Sequence, residues 1–434
     1  MNLLPPLVPR VKRKRGNTQL GKRLKNKKRE VNRLYIKTLG CKVNYAESDA
    51  LANYFKNRGY EIVKEENQAD IILLNTCAVT QEAEKNSYKW FNRYRKKNYQ
   101  IILTGCLIPL LKKASFSLNG QVKILSLEDK QRIVERENLL PSRRRAFLKI
   151  VDGCENFCHY CLVGRIRGKL KSVCEEWIIK ECERLKNLGI REIVLCGINL
   201  GLYGKDIGTS LFTLLSHLAK KIKGISFRLS SLEVDTFSDE LLSLIIQLVK
   251  DGFLCPHFHL PLQSASDKIL EKMGRKYRLK DYERVLTKIV ENLPDANIGC
   301  DVIVGYLGEE EKDFLFTYQF LAKMPFGYFH VFPFSPRPFT PVYHEKETVS
   351  EKEKKERLKV LIGLREKKIL EYCQKFFNQV RRGILIEEDI YLTDNYLKVK
   401  IFEPSEEVAY LKIKDFYLKD KNFPILLGEE FKGG

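Results

Sequence analysis

Three cysteines, Cys154, Cys158 and Cys161, stand within eight residues of chain in "GCENFCHYC". Thiolates at that density are metal ligands first and packing residues second, although chance clustering in a chain of twelve cysteines stays open. A structural zinc ion takes four ligands, usually from paired Cys-x-x-Cys knuckles. Here the loop supplies three, and the next thiol, Cys174, falls in a segment of helical periodicity. His159, between Cys158 and Cys161, would point away from their common centre. A [4Fe–4S] cubane accepts cysteine ligands, and three of them leave one iron open to bind something else. Zinc remains the alternative.

Three phrases upstream share a pattern: "LYIKTLGC" ends at Cys41, "DIILLNTC" at Cys77 and "QIILTGC" at Cys106. Each is a β-rich apolar run closed by a polar turn and a thiol, and residues 47–58 and 82–97 between them read as helices. The pattern is βαβαβ, an open parallel sheet. Ligands of such sheets gather beyond the carboxyl ends of the strands, so the three thiols should share one rim. Their other reading is as buried small hydrophobes.

From residue 146 to about 342, six strand-like runs recur: "AFLKIVDG", "REIVLCG", "ISFRLSSLE", "FHLPLQ", "NIGCDVIVG" and "GYFHVFPFSP". They alternate with helical stretches such as 174–187 and 238–250, a βα repeat of about 33 residues. Six units predict an incomplete barrel, and barrels keep their chemistry on loops after the strands, where the first cysteine trio lies. A charged helix over 350–380 follows, and then alternating apolar and polar residues that predict a small antiparallel β module. The fold class is α/β. The expected organisation is a basic disordered tail (1–33), an N-terminal α/β domain (34–140), the barrel (141–349), the linking helix (350–380) and the β module (381–434).

Lys and Arg outnumber Asp and Glu by 77 to 55, leaving +22, a surplus suited to a polyanion such as nucleic acid. Half of it lies between Arg10 and Arg33, where twelve Lys or Arg accompany one Glu without hydrophobic periodicity. No apolar run reaches the roughly 18 to 20 residues of a bilayer span, so no membrane partner is expected. "MNLLPPLVPR" places apolar residues before basic ones, the reverse of a secretory signal. The cysteines are therefore expected in a reducing cytoplasm.

Cys-x-x-x-Cys-x-x-Cys after the first strand of an incomplete βα barrel is the signature of radical S-adenosylmethionine enzymes, and the chain resembles them. With the N-terminal three-cysteine domain and the C-terminal β module, the resemblance from Leu34 onward is to the methylthiotransferases. "TLGCKVNYAES", "EIVLCGINLGLYGKD", "RLSSLEVD", "CPHFHLPLQSASDKILEKMGRKY" and "HVFPFSPRPFTP" are similar to the branch that acts on tRNA threonylcarbamoyladenosine. The isopentenyladenosine branch typically reads near Gly-Cys-Gln-Met-Asn at its first cysteine and the ribosomal-protein branch near Gly-Cys-Pro-Lys-Asn. This chain has Gly40, Cys41, Lys42, Val43 and Asn44.

The resemblance implies methylthiolation of C2 of adenosine 37, with S-adenosylmethionine and two [4Fe–4S] clusters as cofactors. One cluster would sit on Cys154, Cys158 and Cys161, and the other on Cys41, Cys77 and Cys106. It places Tyr160 near the adenine of S-adenosylmethionine, Glu233 at its ribose, and Val304 and Gly305 of "DVIVGYLGEE" on its adenine side. Their plainer readings are barrel core and an exposed carboxylate. It further implies tRNA and an electron donor such as flavodoxin or ferredoxin as partners, and a TRAM-like RNA-binding C-terminal module. There Tyr391, Tyr396 and Phe402 are candidates to stack on bases, with strand-core packing as the alternative. Other members of the family modify other substrates, and a noncatalytic iron–sulfur RNA-binding protein is the rival of a different class.

The chain departs from the family pattern at Leu307-Gly308-Glu309, usually Pro-Gly-Glu, and at Phe339-Thr340, usually Gly-Thr. Cys174, Cys182, Cys196, Cys255, Cys300 and Cys373 read as packing residues. His257 and His259 share a strand face, without a carboxylate in register to complete a metal pair.

Overall fold

The computed structural model describes residues 32–111, 120–141, 144–419 and 424–431. The expected basic tail falls outside these residues up to 31. Arg33, its last member, instead opens the first strand and holds Asp70 at 3.1 Å.

Five parallel strands build the N-terminal domain: β1 (Arg33–Thr38), β2 (Glu61–Val63), β3 (Ile71–Thr76), β4 (Gln100–Gly105) and β5 (Val122–Ile124), in the order β2-β1-β3-β4-β5. The helices are α1 (Lys42–Lys56), α2 (Gln81–Lys96) and α3 (Leu127–Val134). β3 is buried along its whole length, which is why "IILLNT" is apolar without alternation. Thr80 caps α2 by accepting from the Ala83 amide at 3.1 Å, and acidic Glu82 and Glu84 sit in its first turn with Arg93, Arg95 and Lys96 in its last.

All six strand-like runs of the central region form strands: β6 (Arg145–Asp152), β8 (Glu192–Gly197), β9 (Ser226–Leu229), β10 (His257–His259), β11 (Asn297–Val304) and β12 (Tyr328–Pro333). β7 (Lys171–Ser172) is a short antiparallel hook on β6 with no signal in the sequence. The sheets β7-β6-β8-β9 and β10-β11-β12 continue one another through single bridges at Phe227–Leu254 and Ser231–His259. β6 and β12 do not pair, so the barrel stays open, with α1 lying against β6. Helices α4 (Val163–Arg167), α5 (Glu175–Asn187), α6 (Leu211–Lys221), α7 (Asp239–Lys250), α8 (Asp267–Lys272), α9 (Leu279–Asn292) and α10 (Glu311–Lys323) complete the βα units. One continuous apolar core, from Ala146 of β6 to Phe329 of β12, lies between sheet and helices.

α11 (Glu351–Gln374) starts at a capping box of Ser350 and Glu353 and lies against β12. It ends short of the expected residue 380, because Asn378 turns the chain at φ 63° and Val380 already belongs to the next strand. β13 (Val380–Leu385), β14 (Ile390–Thr393), β15 (Lys398–Lys400), β16 (Val408–Leu418) and β17 (Ile425–Glu430) close into a five-stranded barrel around Tyr391, Val399, Leu411 and Leu426. This module docks on the amino-terminal ends of the central strands: buried Arg228 donates to the carbonyls of Asp394 and Thr393 at 2.8 and 3.2 Å. Among the described residues no helix is long and apolar enough to cross a membrane.

Candidate functional site: a thiol-lined cavity between two domains

A cavity of about 490 Å³ opens at the carboxyl ends of the barrel strands. Cys154, Cys158 and Cys161 line it from the β6–α4 loop, and Val79, Thr80 and Lys85 line it from the N-terminal domain, just after Cys77. The loop is pinned from outside the trio: the His159 amide donates to the Met273 carbonyl and its Nδ1 meets the Lys272 carbonyl, both at 2.9 Å. His159 thus faces α8, away from the thiols.

Cys41, Cys77 and Cys106 follow the ends of the adjacent strands β1, β3 and β4. Asn44 ties the first two ends together, donating to the carbonyls of Leu39 and Thr76 at 2.7 and 3.0 Å. Two glycines permit the close approach. A Cβ on Gly40, at φ +96°, would lie 2.6 Å from the Cβ of Cys77, and one on Gly105, at φ +97°, would lie 2.3 Å from the Thr76 carbonyl oxygen. Cys77 and Cys106 are buried and Cys41 is exposed.

The donors fit the implied clusters. All twelve cysteines are free thiols, and members of each trio feel one another's charge. Burial pushes Cys77 up to about 12, with Cys106 and Cys41 adding to it. Burial and then Cys158 push Cys161 up to about 11. Cationic iron held there would reverse that balance by taking the thiolates as ligands. Among the described residues no three His, Cys, Asp or Glu side chains converge on one point as a zinc ion requires, whereas a cubane takes its thiolates at separate irons.

Between the two trios lies a buried charge network. Arg167 of α4 donates to Glu47 Oε1 at 2.8 Å, Asp152 Oδ1 at 3.1 Å and Asn44 Oδ1 at 2.7 Å, and its Nη2 lies 3.7 Å from Cys106 Sγ. Lys149 and Lys130 complete the shell around Glu47 at 3.1 and 2.5 Å. Burial alone would raise Glu47, but the charges of Arg167, Lys130 and Lys149 hold it well below the usual carboxylate range.

Tyr160 and Glu233 line the cavity. Glu233 is ion-paired with Arg275, whose Nη1 also reaches Cys158 Sγ at 3.4 Å. Val304 and Gly305 do not line it. Strand alternation turns Asp301 and Ile303 to the cavity and packs Val304 into the main core, while Gly305 passes tightly over the Lys354 side chain. Sequence reasoning passed over Arg275, Asn199, Gln263 and Asp301, all in the cavity wall. Asn199 is 1% exposed, and neither polar atom of its side chain has a partner in the protein. Its only sequence signal is a polar residue two positions after a buried strand. His259, read without a carboxylate partner, has one in Asp301 at 3.1 Å, and it shares the Tyr328 hydroxyl with His257 at 3.2 and 2.9 Å.

Of the three stacking candidates, only Phe402 is exposed, at 62%. Tyr391 is fully buried in the small barrel, and its hydroxyl meets Glu430 at 3.0 Å. Tyr396 lies in the turn after β14, where it stacks on His257 at 4.2 Å between module and central barrel. The exposed aromatics of the module among the described residues are Phe402, Tyr410, Tyr417 and Phe431, with Lys400 over Phe402 and Tyr417 at 5.3 and 4.7 Å. Cys174, expected to pack, is an exposed helix cap.

The model of the radical SAM superfamily matches residues 148–321, and that of an uncharacterized protein family, UPF0004, matches residues 33–126. The class is thus a radical S-adenosylmethionine enzyme carrying a second domain. The threonylcarbamoyladenosine tRNA methylthiotransferase MtaB of Aquifex aeolicus is 38% identical over 395 residues, 84% of this chain and 95% of the relative. Its namesake in Thermotoga maritima is 38% identical, covering 75% and 80% of the two chains. The tRNA-2-methylthio-N(6)-dimethylallyladenosine synthase of Dictyoglomus thermophilum is 35% identical, covering 86% and 93%. The chain belongs to the radical S-adenosylmethionine tRNA methylthiotransferase family and is a radical SAM tRNA-modifying transferase.

Proposed function

We propose that the protein methylthiolates C2 of N6-threonylcarbamoyladenosine at position 37 of tRNA, holding one [4Fe–4S] cluster on Cys154, Cys158 and Cys161 and a second on Cys41, Cys77 and Cys106. The carrying observation is the shared cavity, with the radical-type loop on one wall and the segment after Cys77 on another. An adenine C2 hydrogen is not acidic enough for a side-chain base, so a cofactor carries the hard step. When bound, the clusters and S-adenosylmethionine supply an electron, a carbon radical, the sulfur site and the methyl group. The chain's own residues orient and exclude water. Asn199 offers an unpaired amide to a ligand, Tyr160 offers an aromatic face, and the Arg275–Glu233 pair fixes polar groups beside Cys158.

Lys85 favours the threonylcarbamoyl substituent over a hydrocarbon one. It is exposed in the cavity wall and has no acidic partner among the described residues, whereas Arg275 and Arg337 are paired with Glu233 and Glu84. An unpaired cation suits a substituent that ends in a carboxylate. Phe402 and Tyr417 beside Lys400 supply the RNA-binding face of a TRAM-like module. The reading places the protein in the cytoplasm with a flavodoxin or ferredoxin as reductant. Nucleoside analysis of tRNA from cells lacking the gene should show loss of 2-methylthio-threonylcarbamoyladenosine. Unchanged levels with loss of the methylthio-isopentenyl nucleoside would transfer the assignment to the other branch, and failure of the purified protein to form 5′-deoxyadenosine would remove the enzymatic reading.

A further inference from the structure

Phe339 occupies a backbone position that does not suit it. Arg337, Pro338, Phe339 and Thr340 form a turn closed by the Thr340 amide on the Arg337 carbonyl at 3.2 Å, with Phe339 at φ +68°. Proline second and a positive φ third define type II geometry, whose third position belongs to glycine or asparagine. For a bulky aromatic such a φ is an outlier. Burial does not compensate it, because Phe339 is 59% exposed.

The turn is held rigidly. Thr340 Oγ1 donates to the Arg337 carbonyl at 2.6 Å, and buried Arg337 donates to the Ala78 carbonyl at 3.0 Å and pairs with Glu84. The ring is therefore displayed at a set place beside the cavity, which Arg337 itself lines. A groove of about 450 Å³ runs past it, walled by Phe339, Tyr343, His344 and Arg165. Tyr343 is 43% exposed. Arg165 is exposed, has no acidic partner among the described residues, and lies over Phe157 at 5.9 Å. Phe157, in the loop of the cysteine trio, is itself 50% exposed at φ +48°.

We propose that Phe339, with Phe157, Tyr343 and Arg165, forms a stacking platform at the cavity mouth for an unpaired nucleotide flanking the target base of the RNA substrate. The proposal rests on the reading that the cavity receives a base from RNA. To enter it, that base leaves its stack, and its neighbours lose a stacking partner. Exposed aromatic faces and guanidinium planes replace that partner without regard to sequence, and Arg165 complements the phosphate that follows. Groove and cavity are neighbours along the chain, since Arg337 lines the cavity and Pro338 the groove, and Val163 lines the cavity and Arg165 the groove, which sets the neighbour of a bound base beside this face.

The test uses the full-length reconstituted protein and anticodon stem-loop RNAs carrying either threonylcarbamoyladenosine or adenosine at the target position. Phe339→Gly should weaken binding of both RNAs about tenfold, while Phe339→Tyr stays within about twofold of the parent. Because glycine relieves the backbone, Phe339→Gly should melt no lower than the parent, which separates lost stacking from lost fold. 2-Aminopurine placed on one side of the target base or the other should be quenched on binding the parent at one of the two positions and recover with Phe339→Gly. Unchanged RNA affinity, absence of quenching at both positions, or a change of oligomeric state in place of RNA affinity would overturn the platform. A parent that binds both RNAs equally, with Phe339→Gly weakening both, would keep the platform and remove the threonylcarbamoyl assignment.

Discussion

Cys154, Cys158 and Cys161 hang from one loop between β6 and α4, whereas Cys41, Cys77 and Cys106 come from the ends of three strands. The first trio needs one loop in one conformation, pinned by the Met273 and Lys272 carbonyls. The second needs a parallel sheet in register, two glycines at positive φ and Asn44 bridging two strand ends. A loop site gathers its ligands locally and depends on distant sequence only through the few contacts that pin it. A strand-end site inherits the stability of the whole sheet.

The largest effects should come from the ligands. Cys158→Ala and Cys77→Ala should each lower reconstituted iron from about eight to about four atoms per chain, but only Cys158→Ala should abolish 5′-deoxyadenosine formation. If Cys77→Ala abolished it equally, the two sites would not be separable as described. Arg167, on the helix after the loop trio, reaches Cys106 of the other trio, and Arg167→Met leaves Glu47 and Asp152 without their shared guanidinium, at about 3–5 kcal/mol of stability by urea unfolding. Both carboxylates are held below their ordinary range. Their contribution is therefore complete above the unfolded pKa of about 4 and is lost as pH falls through the lower folded values. The parent should lose stability as pH falls through about 4 and below, whereas Arg167→Met, already less stable at neutral pH and with the depression of both carboxylates relaxed, should lose less on acidification. An equal loss of stability between pH 7 and pH 3 in both would contradict the network.

Gly40→Ala should act on one trio alone, since its Cβ meets Cys77 and no atom of the loop site. About 1–3 kcal/mol of destabilisation should accompany loss of the N-terminal cluster's electron paramagnetic resonance signal, with the other signal intact. The smallest effect belongs to Thr80→Ala, which removes the cap of the helix after Cys77 and should cost about 1 kcal/mol in thermal melting.

The loop trio was legible because its spacing is local, and the dispersed trio because three similar runs each end in a thiol and parallel sheets align such ends. The six barrel strands were read from continuous apolar runs, while β2, β5 and β7, two or three residues long, are too short to carry a period. Arg275 with Glu233 and Arg167 with Glu47 escaped because their partners are brought together by topology across 42 and 120 residues. Tyr391 and Tyr396 were misplaced for another reason. Period-two alternation says that a strand has two faces but not which one closes inward when the sheet becomes a barrel, and Tyr396 lies in a turn, beyond the reach of alternation.

The strand-end construction also orders events in time. Until β1, β3 and β4 have paired, Cys41, Cys77 and Cys106 are three unrelated thiols on a flexible chain, and no partial product of synthesis or folding presents them together. Whatever they carry is accepted only by a finished sheet. A misfolded N-terminal domain thus presents no assembled trio, whereas Cys154, Cys158 and Cys161 stay within eight residues of one another whatever the state of the sheet.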